Sequence, residues 1–446
     1  MIEPLTDIAG PDDLRLLHCE HAARYPFLLQ STARGGELGR YDILFAFPGK
    51  SLQFDGSLGG SRETHGDSFL NALDDWWGSH RVPAEDSALP FQGGWFLYLG
   101  YELAGSIEAG LDLRADAVLP TAFAVRCPSA LIFDHEDKRC YLVAENEGCI
   151  DRDLLHSDIH ALPRTSEHAR VNIRSVDEQE PSHFIDAVLR AKDYIAAGDI
   201  YQANLSREWT AHIGNEIDSG VIYESLCRAN PGPFAGIARW RDTEIISSSP
   251  ERLLCIRDGI VSTRPIAGTR PRSDDDSTDN SLSTELFSHP KERAEHVMLI
   301  DLERNDLGRV CEAGTVEVDE MMVLESYAHV HHIVSNVRGQ LRQDVTPGQA
   351  IAAVFPGGTI TGCPKVRCMQ VIDELEEGPR GAYTGSFGYL NRDGSMDLNI
   401  LIRTMVRNGD ALTFRAGSGI VADSDPHAEL QETRAKAEGL LRALQA

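Results

Sequence analysis

HFIDAVLRAKDYIAAGDIYQANL, residues 183–205, changes its hydrophobic period part-way along. Phe184, Ile185, Val188, Leu189, Ala191 and Ile195 recur at helical spacing, and Gly198 is placed to end that helix. From Ile200 to Leu205 the residues read as a strand. Downstream, strand signals recur at Glu244–Ile246, Arg252–Ile256, Gly385–Leu390, Leu398–Met405 and Ala411–Ala416. Long helices are expected at Pro290–Leu307, Pro364–Leu375 and Pro426–Leu444, each with proline near its first position. Upstream, Tyr41–Phe47, Gly94–Leu99 and Ser129–Phe133 read as strands separated by turns. The polar stretch Glu145–Pro181 reads as a surface connection with a short helix at Leu154–Leu162, and the acidic run Ser273–Asp279 as a solvated loop. Strands and helices mixed in one large unit, with no repeat period, predict the α+β class.

The chain has 446 residues, and its 69 acidic against 42 basic side chains give a formal charge of −27. No global positive field would draw in nucleic acid or an anionic membrane, so an anionic ligand would need local cations. No apolar run approaches the length of a membrane helix, and Met1-Ile2-Glu3-Pro4 carries no basic and apolar targeting pattern, so a cytoplasmic protein is expected. The nine cysteines are scattered without a C-x-x-C pair, which disfavours a closed zinc site. None lies in a G-x-C-x-G elbow, so the chain has no glutaminase-type thiol nucleophile of its own.

Five constellations can carry chemistry. Glu292 and Glu295 share a helix face, and Glu429 and Glu432 repeat that spacing before Lys436. Two such faces meeting in one cleft would suit Mg²⁺, although the same spacing also describes an ordinary solvated pair. The glycine-rich FPGGTITGCPK (355–365), with Lys365 and Arg367, could hold an anion on its amides or be a tight turn. Cys363-Pro364 stands where a nucleotide P-loop needs Gly-Lys, which excludes that reading. Gly417 and Gly419 could offer amides to a carboxylate, or mark a closely packed turn. His329 and His331 share one face of an extended segment and His332 takes the other, so the three do not converge on one metal. Glu251, after Ser-Ser-Ser-Pro, could serve as an acid if buried, or sit on a surface turn.

Together these strings resemble the chorismate-using enzymes, namely component I of anthranilate synthase and of aminodeoxychorismate synthase. The likeness rests on GDIYQANLS (198–206), SSSPERLL (247–254), RPIAGTRPR (264–272), PKERAEHVMLIDLERNDLGRV (290–310), HVHHIVSNVRG (329–339), FPGGTITGCPKVR (355–367), GAYTGSFGY (381–389), MDLNILIRT (396–404) and AGSGIVADSDPHAELQET (416–433), in family order. It implies a layered β/α sandwich with the active site between the layers. An N-terminal domain over 1–165 and a chorismate-binding catalytic domain over 175–446 are expected. The resemblance further implies Glu295 and Glu432 as direct Mg²⁺ ligands, with Glu292 and Glu429 acting through water. Arg403, Lys436, Gly417 and Gly419 would hold the substrate carboxylates, with Tyr383, Thr359 and Ala267 lining the pocket. Glu251 would protonate the departing 4-hydroxyl, and His332 would handle or orient a proton. Ser31, Pro233, Phe234 and Ala235 would line a tryptophan pocket.

Two positions bear on the reaction. Water-adding relatives carry a lysine base where this chain has Gln202, which cannot act as a base, so ammonia is the expected nucleophile. Asn204, RYDILFAFPG (40–49) and PFQGGWFLYLGYEL (90–103) resemble the aminodeoxychorismate branch. Ala267 resembles the anthranilate branch, since aminodeoxychorismate synthases often have a nucleophilic lysine there. The resemblance thus implies a subunit that makes 4-amino-4-deoxychorismate, a precursor of 4-aminobenzoate and folate, with ammonia supplied by a separate glutamine amidotransferase subunit in a heterodimer. An anthranilate synthase is the alternative, and an inactive tryptophan-binding scaffold a third reading.

Overall fold

The computed structural model describes the chain except residues 33–38, 57–67, 85–86, 164–170, 172, 215–216, 274, 289, 327–329 and 446; at 269, 271, 276, 288, 290–292 and 330 it describes the backbone alone. Among the described residues, two large antiparallel sheets dominate. The first has 12 strands and runs from Ile2–Leu5 at one edge, through Tyr41–Ala46, Phe27–Gln30, Phe234–Trp240, Thr243–Ser249, Thr404–Asn408 and Ala411–Ile420, to Gln202–Ile213 and the short Gly362–Cys363. The second has 10 and runs from Ile266–Pro271 through Val330–Gln340, Ile260–Arg264, Arg252–Arg257, Met396–Asn399, Ser386–Asn391, Gly94–Leu99 and Ala122–Cys127 to Ser51–Phe54. Both sheets take strands from 1–165 and from 175–446.

Alternation of side chains along each strand gives every sheet an inner and an outer face. The inner faces meet in an aromatic layer. Phe27 of the first sheet stacks on Phe96 of the second with centroids 4.0 Å apart, and Trp240 stacks on Phe123 at 4.0 Å. Such pairs add about 0.5–1.5 kcal/mol each beyond the area they bury. Outside the first sheet, Leu14, Leu17, Ile222, Leu226, Leu440 and Leu444 pack from helices Pro11–Glu20, Ser219–Ala229 and Pro426–Gln445. Outside the second, helices Phe69–Gly78, Pro290–Gly308 and Pro347–Val354 cover the sheet through Leu73, Ile300, Leu307 and Ile351. The result is the layered α+β sandwich expected from the sequence. No described helix is long and apolar enough to cross a membrane, and all nine cysteines are free.

The structure corrects several local expectations. The strand foreseen at Leu398–Met405 is two strands, Met396–Asn399 in the second sheet and Thr404–Asn408 in the first. Periodicity could not reveal the break, because residues on both sides of it are apolar. The acidic run from Ser273 is not all loop: a helix begins at Asp276, with Asp275 accepting from the Thr278 amide at 2.9 Å as its cap. The connection before Pro181 contributes a strand, Ile173–Glu178, that pairs with Trp209–Ile213. Leu189, counted in the helical stripe, faces solvent at 50 % exposure.

Candidate functional site

Two segments leave one sheet and enter the other. Ser249 ends a first-sheet strand and Arg252 begins a second-sheet strand, so Pro250 and Glu251 span the gap. Asn399 and Thr404 bracket the return crossing, which carries Arg403 at φ 53°. The crossings lie side by side: the Ile400 amide donates to the Glu251 carbonyl at 3.0 Å, and the Ser248 amide to the Arg403 carbonyl at 3.2 Å. An acid and a base far apart in sequence are thus brought to one seam between the layers.

Burial sets the character of both. Glu251 is 5 % exposed, and burial pushes its carboxyl up to about 7, with the nearby Glu303 charge adding to the rise. The Thr359 hydroxyl, the Ile266 amide and Lys436 oppose that rise. Near neutrality Glu251 therefore carries a proton for much of the time. Arg403 donates to Asn230 Oδ1 at 3.1 Å, and among the described residues no carboxylate pairs with it. Burial lowers its proton affinity from the ordinary guanidinium value. His332 lies nearby; burial, then the Arg403 charge, push its imidazole down to about 4, so it is neutral at physiological pH. His331 points the other way, to Ser326 Oγ at 2.7 Å and Asp279 Oδ1 at 3.0 Å, while His329 lies outside the described residues.

The wall beside these groups is built by pairing Gln202–Ile213 with Ala411–Ile420, Asn204 opposite Gly419 and Ser206 opposite Gly417. A Cβ at Gly417 would come within 2.5 Å of Asn204 Oδ1 and 2.6 Å of the Tyr383 hydroxyl. One at Gly419 would lie 2.6 Å from Gln202 Nε2 and 3.4 Å from Glu295 Oε1. Glycine at both positions is what admits those polar groups to the wall. Gln202 Nε2 donates to Glu295 Oε1 at 2.7 Å. Gln202 Oε1 and Asn204 Oδ1 are buried acceptors with no hydrogen-bond partner among the described residues. An orphaned acceptor costs about 1–3 kcal/mol, so each is suited to a donor from outside the chain. Tyr383 is buried, which pushes its phenol up to about 12 and keeps it protonated.

The expected metal carboxylates approach the same strand. Glu295 meets Gly419, as above, and Glu429 accepts a hydrogen bond from Ser418 Oγ. Glu432 pairs with Lys436 at 2.8 Å, and Lys436 Nζ also donates to the Gly417 carbonyl at 3.0 Å. Glu292 belongs to the helix Pro290–Gly308, but its side chain lies outside the described residues. The donors are hard carboxylate oxygens from two helices, which fits Mg²⁺ chemically. Among the described residues, Glu295, Glu429 and Glu432 do not have ligand atoms drawn together within 4.8 Å; the one such trio is the exposed Asp7, His156 and His160.

The glycine-rich turn does not present Lys365 and Arg367 to an anion. Lys365 pairs with Asp306, and Arg367 donates to Asp199 at 3.1 Å. Gly357 and Gly358 instead allow close packing against Ile400 and Leu302. Ala267 is 7 % exposed on its strand opposite Ile333 and supplies no nucleophile. Ser31 and Pro233, Phe234 and Ala235 are brought together where Phe27–Gln30 pairs with Phe234–Trp240, with Ala235 opposite Gln30. Sequence reading missed two features. Glu303 sits on the buried stripe with Ile300 and Leu307, and its i+3, i+4 spacing to those residues was the available signal. Glu376, Arg380 and Arg415 form a buried ionic cluster behind Asn204, whose carbonyl accepts from Arg380 at 2.6 Å; no local pattern announces it.

Comparison with known proteins places this geometry among relatives. A family described as "chorismate binding enzyme" matches residues 46–442. The chain is 41% identical over 415 residues to an "Anthranilate synthase component I-like protein" of Synechocystis, covering 92% of this chain and 83% of that protein. It is 36% identical over 441 residues to "Aminodeoxychorismate synthase component 1" of Bacillus subtilis, covering 95% and 92% respectively. Its fold matches the crystal structure of anthranilate synthase component I from Streptococcus pneumoniae with TM-score 0.77 and 31% identity, covering 91% and 93%.

Proposed function

The chain belongs to the chorismate binding enzyme family, and from that premise we propose that it aminates chorismate, with 4-amino-4-deoxychorismate as product. The observation that carries the reading is the pairing, at one inter-sheet seam, of a half-buried arginine with no carboxylate partner among the described residues and a buried carboxyl pushed up to about 7. Chorismate offers carboxylates to the first and a departing hydroxyl to the second.

In this reading Arg403, Lys436 and the amides of Gly417 and Gly419 hold the substrate carboxylates. A guanidinium can meet a carboxylate through two parallel hydrogen bonds, which fixes orientation as well as charge. Glu251 gives its proton to the 4-hydroxyl, which leaves as water while the ring gains nitrogen from ammonia. His332, neutral beside Arg403, orients the reacting end, and Thr359 and Tyr383 close the pocket. Gln202 supports ammonia over water because it cannot remove a proton. Glu295 and Glu432, with Glu292 and Glu429 through water, would hold Mg²⁺, which when bound would neutralise the ring carboxylate. Ammonia would come from a separate glutamine amidotransferase subunit, in the cytoplasm. Ser31, Pro233, Phe234 and Ala235 are proposed as a tryptophan pocket.

Ala267 favours a second reading, anthranilate synthase, in which amination at C2 is followed by loss of pyruvate. Asn204, whose amide oxygen is buried beside Gly417 and Tyr383, supports the first. Purified chain with chorismate, Mg²⁺ and ammonium, resolved by chromatography, separates them. An amino product that retains its pyruvyl group, and that a lyase converts to 4-aminobenzoate, is expected. Fluorescent anthranilate with stoichiometric pyruvate would establish the second reading instead.

A further inference from the structure

The helix Arg152–Ala161 carries the string HSDIH at 156–160. Leu155, Asp158 and Ile159 make its buried side. Leu155 and Ile159 enter the core outside the first sheet, while Asp158 accepts from Arg24 at 2.7 and 2.6 Å and from Tyr25 at 2.9 Å. Positions four apart on a helix share a face, so Arg152, His156 and His160 form an outer stripe. That stripe meets the N-terminal segment of the chain. Arg152 donates to both carboxylate oxygens of Glu3, to Oε2 at 3.0 Å. One turn on, His156 Nδ1 lies 3.2 Å from Asp7 Oδ2. A further turn on, His160 brings a second imidazole, its ring centre 6.5 Å from that of His156. One ligand atom each from Asp7, His156 and His160 lies within 4.8 Å of the others, and all three residues are exposed.

We propose that Asp7, His156 and His160 form a binding site for Zn²⁺ or a like first-row divalent cation, which clips the N-terminal segment to this helix. The donor set is the first argument. Two imidazoles and one carboxylate suit a borderline transition metal, whereas Mg²⁺ prefers oxygen alone, as Glu295, Glu429 and Glu432 offer. Spacing is the second. Bonds of about 2.0–2.2 Å set two ligands of one ion roughly 3.0–3.5 Å apart, and His156 and Asp7 already stand at that separation. His160 closes the remaining gap by turning an exposed side chain, which costs no packing. The third is rigidity: Arg152 with Glu3, and Asp158 with Arg24 and Tyr25, hold the helix in place before any ion arrives, so little order must be gained on binding. Three protein ligands leave the other positions to water. Asp7 follows Ile2–Leu5, at the edge of the first sheet farthest from Gln202–Ile213 and Gly362–Cys363, so the site is separate from the seam and independent of the chorismate reading.

The test is calorimetric titration of Zn²⁺ into the full chain, free of any affinity tag. Excess Mg²⁺ occupies carboxylate-only sites, and a non-chelating reductant keeps the cysteines as thiols. The wild type should take up one Zn²⁺ that His156→Ala, His160→Ala and Asp7→Asn each bind at least about tenfold more weakly. All three positions are exposed, so the variants should keep the fold and the turnover of the wild type. Uptake that all three variants retain in full would assign the metal to thiols or to the seam and overturn the proposal. So would no uptake by the wild type up to about 0.1 mM free Zn²⁺. Thermal unfolding tests the clip itself. Zn²⁺ at a hundredfold excess over its Kd should raise the wild-type midpoint by about 3 °C and leave that of His160→Ala unmoved. An unmoved wild-type midpoint would contradict a cross-link between the two segments.

Discussion

Arg380 and Arg403 both belong to the sandwich, the first buried and the second half-buried, and they are treated in opposite ways. Arg380 Nη2 meets Glu376 Oε1 at 2.6 Å, and Arg415 holds the other oxygen of that carboxylate at 3.1 Å. Among the described residues Arg403 has only the neutral Asn230 amide oxygen, at 3.1 Å. Their acidic counterparts differ likewise. Burial alone would raise Glu376, yet Arg380 and Arg415 bring it below the ordinary glutamate value, whereas Glu251 rises to about 7. Charge that serves the fold is neutralised within the chain. Charge left unneutralised at the seam is available to a ligand, at a cost in stability the rest of the sandwich must offset.

The comparison breaks most readily at Glu376. Glu376→Gln leaves buried Arg380 without a carboxylate and Arg415 with only the more exposed Glu208, at 3.3 Å, so it should destabilise the fold by about 3–5 kcal/mol, read from denaturant or thermal unfolding. If Arg403 is instead reserved for substrate, Arg403→Ala should unfold close to wild type yet lose about a thousandfold in kcat/KM for chorismate, on the order of 4 kcal/mol. A large stability loss with unchanged turnover would put Arg403 in the same class as Arg380.

Smaller effects sharpen the contrast. Glu251 has a folded proton affinity above that of the unfolded chain, so its contribution is fully present below about 4.5 and lost as pH rises through about 7. Glu251→Gln lacks that loss. It should gain on the order of 2 kcal/mol relative to wild type between pH 4.5 and 7 in unfolding experiments, while turnover falls by about 10²–10⁴. Smallest is Gly419→Ala. Its methyl would meet Gln202 Nε2 at 2.6 Å, a side chain able to shift, so about a tenfold rise in the chorismate or Mg²⁺ requirement is expected in steady-state assays, without loss of fold.

Much of this molecule was legible in its sequence, for reasons that differ from part to part. The helix Pro181–Ala197 ends at Gly198 with φ 82°, as its spacing and glycine signal, and Pro426–Gln445 begins at the expected proline. Gln202, Glu295, Gly417 and Gly419 stand out in the sequence because they lie in long strings shared with a known family, and the structure brings Gln202, Glu295 and Gly419 together. Periodicity alone would have brought none of them together. What escaped notice was decided by tertiary contacts. The switch of sheets between Asn399 and Thr404 has no local marker, and Glu376 finds Arg415 across 39 positions of chain. Glu303 was the intermediate case: a carboxylate at an apolar-stripe position, visible in the spacing and overlooked beside the better-known glutamates of the same helix.

The central claim, that Arg403 is held open for a substrate carboxylate, is most directly tested by binding without turnover. Chorismate is titrated calorimetrically into Glu251→Gln and into Glu251→Gln carrying Arg403→Ala, both with Mg²⁺. Saturable binding to the first and at least about a hundredfold weaker binding to the second is predicted, equivalent to roughly 2.7 kcal/mol or more. Equal affinity in the two would contradict the account and return Arg403 to the structural charges.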